Sequence, residues 1–208
     1  MARYTDAVCR LCRRNGLKLF LKGDKCFTKC TFDKRPQPPG DAVKGRRRKV
    51  SDRGLQLREK QKAKAVYSVL EKQFRHYYEE AQRREGITGE NLVRLLEMRL
   101  DNVVYRLGFA DSRNQARQLV NHGLIAVNSR KLDIPSAQIR VTDKVGWSTR
   151  GQKTEVFTAI RENITRKQIP GWLSVDPAEM TGRVLAKPTL LDAAPLFSPN
   201  VIVEYYSR

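Results

Sequence analysis

The sequence predicts an α+β protein. It predicts a mostly helical N-terminal domain with a metal-stapled N-terminal segment. A small helix–helix–hairpin module then precedes a C-terminal helix/strand tail. Three observations lead there. Apolar residues recur at helical spacing through the middle of the chain, short alternating runs with turn residues follow, and all four cysteines fall within the first thirty residues. The expected boundaries are 1–50, 51–98, 99–165 and 166–208.

The cysteines come first. Cys9 and Cys12 are separated by two residues, Cys26 and Cys30 by three. Paired short spacings joined by a loop suit one tetrahedral zinc ion, because each pair closes a tight turn around the metal. Arg10, Arg13, Arg14, Lys25 and Lys29 flank these thiols and should favour their deprotonation. The segment has few apolar residues, so a structural metal gives it a reason to be ordered. A disulfide pair and an iron–sulfur cluster are the rival readings. A reducing compartment opposes the first, and four cysteines alone do not exclude the second.

Pro36, Pro38, Pro39 and Gly40 then rule out regular structure. Arg46, Arg47, Arg48 and Lys49 follow, so this reads as an extended basic arm ordered by a polyanion. Gly40 and Gly45 have P-loop spacing, but arginines follow instead of Lys and Ser or Thr, and no strand precedes. A nucleotide site is rejected.

Residues 51 to about 84 read as a long, mostly helical region with Val66, Leu70 and Phe74 at four-residue spacing. Its aromatic stripe reads as core. Gly86 and Gly89 break it, and Leu92, Leu95 and Leu96 resume a helix. Leu100, Val103, Val104 and Leu107 form the next helical face, which Gly108 ends. Ser112 and Gln115 make a capping box for another helix. Its apolar side is Ala116, Leu119 and Val120, so Arg113, Arg117 and Gln118 should mostly face out. Leu124, Ile125 and Val127 form a strand, and Asn128-Ser129 turns it into Arg130, Lys131 and Leu132. Ile139 to Val145 alternates like a strand, with a turn at Thr142-Asp143 before Val145, and Gly146-Trp147 closes a small sheet. Val156 to Ile164 suggests a helix. Asp176-Pro177 with Glu179 reads as a helix start, and Val201 to Tyr206 as a strand.

Of 208 residues, 41 are Lys or Arg and 22 Asp or Glu, for a formal net charge of +19. That excess favours nucleic acid over membrane. No apolar run is long enough to span a bilayer, and the first residues lack the apolar core of a signal peptide. The Asn163-Ile164-Thr165 sequon therefore carries little weight. The helix–helix–hairpin stretch from Arg99 to Leu132 gathers Arg99, Arg106, Arg113, Gln115, Arg117, Gln118, His122, Asn128, Arg130 and Lys131. These residue types suit phosphate and sugar contacts on folded RNA. Arg3, Arg10, Arg13, Arg14, Arg35, Lys44, Arg46, Arg47, Arg48, Lys49, Arg58, Lys60 and Lys62 complete the candidate RNA-binding set.

Several motifs resemble the bacterial small-subunit ribosomal protein four family across essentially the whole chain. They include Lys34-Arg35-Pro36-Gln37-Pro38-Pro39-Gly40, Leu57 to Lys62, Glu71-Lys72-Gln73-Phe74, Glu97 to Gly108, Ser112 to Gln118, Asp133-Ile134-Pro135-Ser136 and the terminal Val203-Glu204-Tyr205-Tyr206-Ser207-Arg208. The resemblance implies a cytoplasmic component of the small ribosomal subunit that binds 16S rRNA and nucleates assembly. It implies a position by the channel where mRNA enters, contacts with small-subunit proteins three and five, and an influence on decoding accuracy. Some members of that family carry a four-cysteine zinc site. An RNA-modifying enzyme such as a pseudouridine synthase, or a ribosome-associated stress factor, could carry a similar module. Only His76 and His122 are present, without a G-x-S-x-G or H-E-x-x-H motif, so no catalytic residue is assigned.

Overall fold

The computed structural model describes residues 4–40, 49–193 and 195–207, the side chain of Arg166 excepted. Its helices are α1 (Cys9–Asn15), α2 (Lys25–Thr28), α3 (Thr31–Lys34), α4 (Asp52–Tyr67), α5 (Glu71–Arg83), α6 (Thr88–Glu97), α7 (Leu100–Arg106), α8 (Arg113–Asn121), α9 (Glu155–Asn163), α10 (Leu190–Ala193) and α11 (Pro199–Tyr206). Its strands are β1 (Ile125–Val127), β2 (Arg130–Lys131), β3 (Lys144–Trp147), β4 (Leu173–Asp176) and β5 (Thr181–Val184). The chain divides into two units, one of residues 1–92 with 195–208 and one of residues 93–194.

The first unit is helical. Ser51 caps α4 by accepting from the Gly54 N–H. The region read as one long helix is two. Ser68 takes a left-handed conformation, φ 53°, and α5 starts afresh at Glu71. Phe74, Tyr77, Tyr78 and Ala81 form the buried face of α5, as an aromatic stripe at helical spacing should. Helix α11 lies against α4. Ile202 is buried, the Tyr206 ring stacks on Tyr78 at 4.5 Å, and Gln56 donates to Glu204 at 3.2 Å.

This helix replaces the expected C-terminal strand. The β-branched run Val201-Ile202-Val203 argued for a strand. Pro199 in the first helical turn, with Ile202 and Tyr206 four residues apart on one side, decides for a helix.

The second unit is a sheet with helices. Its strand order is β2-β1-β3-β5-β4, every pair antiparallel. Asn128 and Ser129 both have positive φ, 49° and 65°, which is the two-residue turn that matches strand twist. Leu100, Val103, Val104 and Leu107 of α7 meet Ala116, Leu119 and Val120 of α8 in one core with Ile125, Val145 and Trp147.

Two further expectations change here. The turn expected at Thr142-Asp143 is present, with Thr142 at φ 78° and the Asp143 side chain accepting the Arg140 N–H, but the strand expected from Ile139 begins only after it, at Lys144. Asp176-Pro177 opens no helix. Asp176 accepts from the N–H groups of Ala178 and Glu179, and Met180 adopts φ 52°, so the segment is the turn of a β4–β5 hairpin. The sheet therefore extends past residue 165. A side chain on Gly182 would collide with Leu107, so that glycine lets β5 lie close under α7.

Candidate nucleic-acid interface

A buried ionic frame fixes α7 and α8. The Glu97 carboxylate, 0% exposed, accepts from Arg106 Nε and Nη2, both at 2.9 Å, and from Asn102 Nδ2 at 2.8 Å. Arg106 also donates to the Ala193 carbonyl at 2.8 Å. Asn102 in turn accepts from Arg113 Nε at 2.7 Å, and the Arg113 guanidinium lies 4.6 Å from the Tyr105 ring centre. Asp101 takes a fork from Arg99, at 3.0 and 2.6 Å, and a longer bond from Arg117 at 3.4 Å. Bidentate, charge-assisted bonds of this kind satisfy groups that would otherwise be costly to bury.

This corrects the sequence reading of α8. Arg117 does not face out: it is 3% exposed, and Arg99 is 0% exposed. Both guanidinium groups are committed inside the unit. Arg106 and Arg113 are partly buried in the same frame. Arginine on a helix reads as surface from sequence because its internal partners, Glu97 at the end of α6 and Asp101 in α7, lie in other elements and cannot be matched to it by spacing.

What the frame holds up to solvent is narrower. Gln118, Asn121 and His122 line the exposed side of α8, and Asn128, Arg130 and Lys131 are exposed on the hairpin. Ser112 caps α8 from the other end, accepting the Gln115 N–H at 3.3 Å, while Gln115 accepts from the Asp111 N–H at 2.7 Å. Asn128 serves the turn: it donates to Asp143 at 2.8 Å and accepts the Lys144 N–H at 2.9 Å. Gly123 joins α8 to β1, and any side chain there would strike the Lys131 Cε. Lys131 therefore lies across the end of α8, so the helix end and the hairpin make one surface. The loop carrying Arg150 adjoins it. Ser148 Oγ donates to the Gly123 carbonyl at 3.0 Å, and Gly151 lies against the Leu124 carbonyl. Arg150 is exposed and was not foreseen, because nothing in its sequence neighbourhood ties it to α8. Arg140 and Arg183 are also exposed in this unit.

In the first unit Arg10, Arg14, Arg35, Lys49 and Arg58 are exposed. Arg13 is not spread for solvent. It donates to the carbonyls of Gln37 at 2.8 Å and Pro38 at 3.4 Å, and so ties the proline-rich segment to α1. Lys60, 5% exposed, donates to Glu71 at 2.8 Å and lies 4.4 Å from the Tyr205 ring centre. Lys62 is half-buried and paired with Glu59. Arg3, Lys44, Arg46, Arg47 and Arg48 lie outside the described residues.

The four cysteines are free thiols, with Cys12 and Cys26 buried. Leu19 N–H is directed at the Cys12 sulfur, and Lys22 N–H donates to Cys26 Sγ at 3.3 Å. Burial pushes the Cys12 thiol above its ordinary value. The Leu19 N–H opposes this, and the nearby thiols of Cys26, Cys9 and Cys30 add to it. The four sulfurs are close enough to feel one another, yet among the described residues no three metal-ligating side chains converge at coordination distance. The chemistry of the donor set fits zinc, with two of the thiols already receiving backbone N–H groups.

Comparison with known proteins decides the family. The profile of the "Ribosomal protein S4/S9 N-terminal domain" matches residues 3–97, and that of the "S4 domain" matches residues 98–145. The chain is 56% identical over the full length of both sequences to "Small ribosomal subunit protein uS4A" of Clostridium botulinum (strain ATCC 19397 / Type A). It is 53% identical, again over all of both, to "Small ribosomal subunit protein uS4" of Syntrophomonas wolfei subsp. wolfei. The corresponding protein of Dehalococcoides mccartyi is 51% identical over the whole of each chain. The chain belongs to the uS4 family. It is a structural ribosomal protein and not an enzyme. The boundary between the two matched domains falls between α6 and α7, so the S4 domain begins with the helix that Glu97 and Asp101 anchor. No helix among the described residues is long and apolar enough to cross a membrane.

Proposed function

We propose that this chain binds 16S rRNA directly in the small ribosomal subunit, nucleates assembly of the subunit body, and contributes to translational accuracy through a neighbouring protein. The carrying observation is the joined surface of Gln118, His122, Arg130 and Lys131 on a frame whose other arginines are spent internally. A rigid scaffold presenting a few exposed cations reads the shape and phosphate positions of folded RNA. Release of counterions from the RNA supplies much of the affinity. Proteins three and five of the small subunit, and mRNA near its entrance channel, are the proposed neighbours, and the cytoplasmic ribosome the proposed location.

We also propose one structural zinc ion held by Cys9, Cys12, Cys26 and Cys30. Bound zinc would supply a cross-link between two turns that share little apolar surface. The N–H groups of Leu19 and Lys22 would offset part of the thiolate charge.

The test is binding of the purified protein to the 5′ domain of small-subunit rRNA, with tRNA as competitor, across a salt series. Tight, competitor-resistant binding with a steep salt dependence is expected. Equal, weak binding to both RNAs would reduce the basic surface to a generic polycation.

A further inference from the structure

Phe27 is 72% exposed, the most exposed aromatic side chain among the described residues. It sits on α2 next to Cys26, which is buried, so Cys26 faces the interior while Phe27 faces solvent. Phe20 supports it from behind, with ring centres 5.1 Å apart and planes 27° apart. Phe20 reaches that position through a left-handed backbone, φ 50°, a conformation that a bulky residue adopts only when its surroundings enforce it. Leu19 and Leu21, on either side, are buried. The loop thus turns one aromatic ring outward and uses it as a backing for a second.

The flanking chain is cationic. Lys22, Lys25 and Lys29 are exposed, against the exposed carboxylates of Asp24 and of Asp33, which pairs with Lys18 at 2.7 Å. An exposed aromatic ring in a lysine-rich segment is mismatched to an apolar protein partner. It matches an unpaired nucleotide, whose base presents a π-face and whose flanking phosphates are anionic.

We propose that the Phe20–Phe27 stack is a platform for one unpaired base of the bound RNA, with Lys22, Lys25 and Lys29 holding the adjoining phosphates. This rests on the rRNA-binding reading above and places a discrete contact within it. The site lies in the first unit and contains no residue of α7, α8 or the hairpin.

The test compares the wild-type protein with Phe27→Ala, Phe27→Leu and Phe27→Trp, using the 5′-domain rRNA transcript. Phe27→Ala is expected to bind about tenfold more weakly, and Phe27→Leu to follow it, because an aliphatic side chain offers no ring. Phe27→Trp is expected to keep wild-type affinity and to show quenched indole emission on RNA binding. Trp147 and Trp172 are buried and supply a constant background. The salt dependence should stay the same across the series, since no phosphate contact is removed. Wild-type affinity for Phe27→Leu, or unquenched emission from the Trp variant in the RNA complex, would overturn the platform. If the wild-type protein itself fails to prefer rRNA over tRNA, the failure is that of the underlying reading. If it prefers rRNA and Phe27→Ala binds equally well, only the platform falls.

Discussion

Glu97 and Arg106 form a two-pronged ion pair, with both bonds at 2.9 Å and the carboxylate wholly buried. The pair spans the boundary between α6 and α7, and Asn102 and Arg113 attach to it. Removing Glu97 leaves the partly buried Arg106 and the buried Asn102 without their shared acceptor. Glu97→Ala should therefore destabilise the protein by about 3–5 kcal/mol. Chemical denaturation measures this directly, and an unshifted midpoint would rule out the frame as a determinant of stability.

The basic residues of α8 and of the hairpin should separate into two kinds. Arg117→Ala removes a buried partner of Asp101 and should lower the unfolding midpoint strongly. Arg130→Ala with Lys131→Ala should leave that midpoint within about 0.5 kcal/mol, because both side chains are exposed. The hairpin pair should instead weaken rRNA binding and reduce the slope of log affinity against log salt by about one per residue lost. Filter binding and a denaturant titration on the same preparations distinguish these outcomes. A stable Arg117→Ala protein with weakened RNA binding would reverse the assignment.

Glu71 makes a pH prediction. Burial alone would raise its pKa, but bonds from Lys60, Lys64 and Tyr206 outweigh that and hold it at about 2, against an ordinary 4.5. A carboxyl whose folded pKa is depressed stabilises the fold fully above its unfolded value. That contribution fades as pH falls from about 4.5 towards 2. Glu71→Gln should flatten the stability profile across that window and leave its shape above it unchanged. The effect is moderated by solvent, since the side chain is 47% exposed. Tyr206 is pushed upward by burial and by its bond to Glu71, so it remains neutral throughout. Equal acid sensitivity in the two proteins would show that the α4–α5–α11 cluster does not depend on this charge.

Chelation tests the proposed metal. A strong zinc chelator should loosen the segment from Cys9 to Cys30 and release the proline-rich stretch that Arg13 holds. Residues 93–194 have their own core and should stay folded. Proteolytic mapping with and without chelator reads this out. Loss of the whole far-UV signal would contradict the division. No change anywhere would remove the metal from the account.

Local signals in the sequence were read well where one residue decides the backbone. Gly108 and Gly123 end their helices at φ 79° and 69°, and Ser112 caps α8. Asn128-Ser129 makes the expected hairpin turn. Long-range choices were not legible in the same way. The β-branched residues of Val201 to Val203 spoke for a strand, whereas Pro199 opens a helix that packs against α4. Asp176 and Pro177 look alike at a helix start and at a hairpin turn. Pairing of β5 with β3 makes the difference, and no short window contains both. For the interface, residue type pointed to phosphate and sugar contacts and did not show which of the arginines are buried. Arginine pairs as readily with a buried carboxylate as with a phosphate, and only the fold says which one it meets.

The ionic interior around Glu97 and Asp101 also has a thermal consequence. The cost of stripping water from charges falls as temperature rises, whereas apolar burial gains little further strength. The angle between α7 and α8 is therefore held by contacts that lose less on warming than ordinary side-chain packing. The separation between the end of α8 and the hairpin should stay constant almost to the melting point, so heat should abolish RNA recognition by unfolding the unit as a whole, without a preceding range of gradual loss.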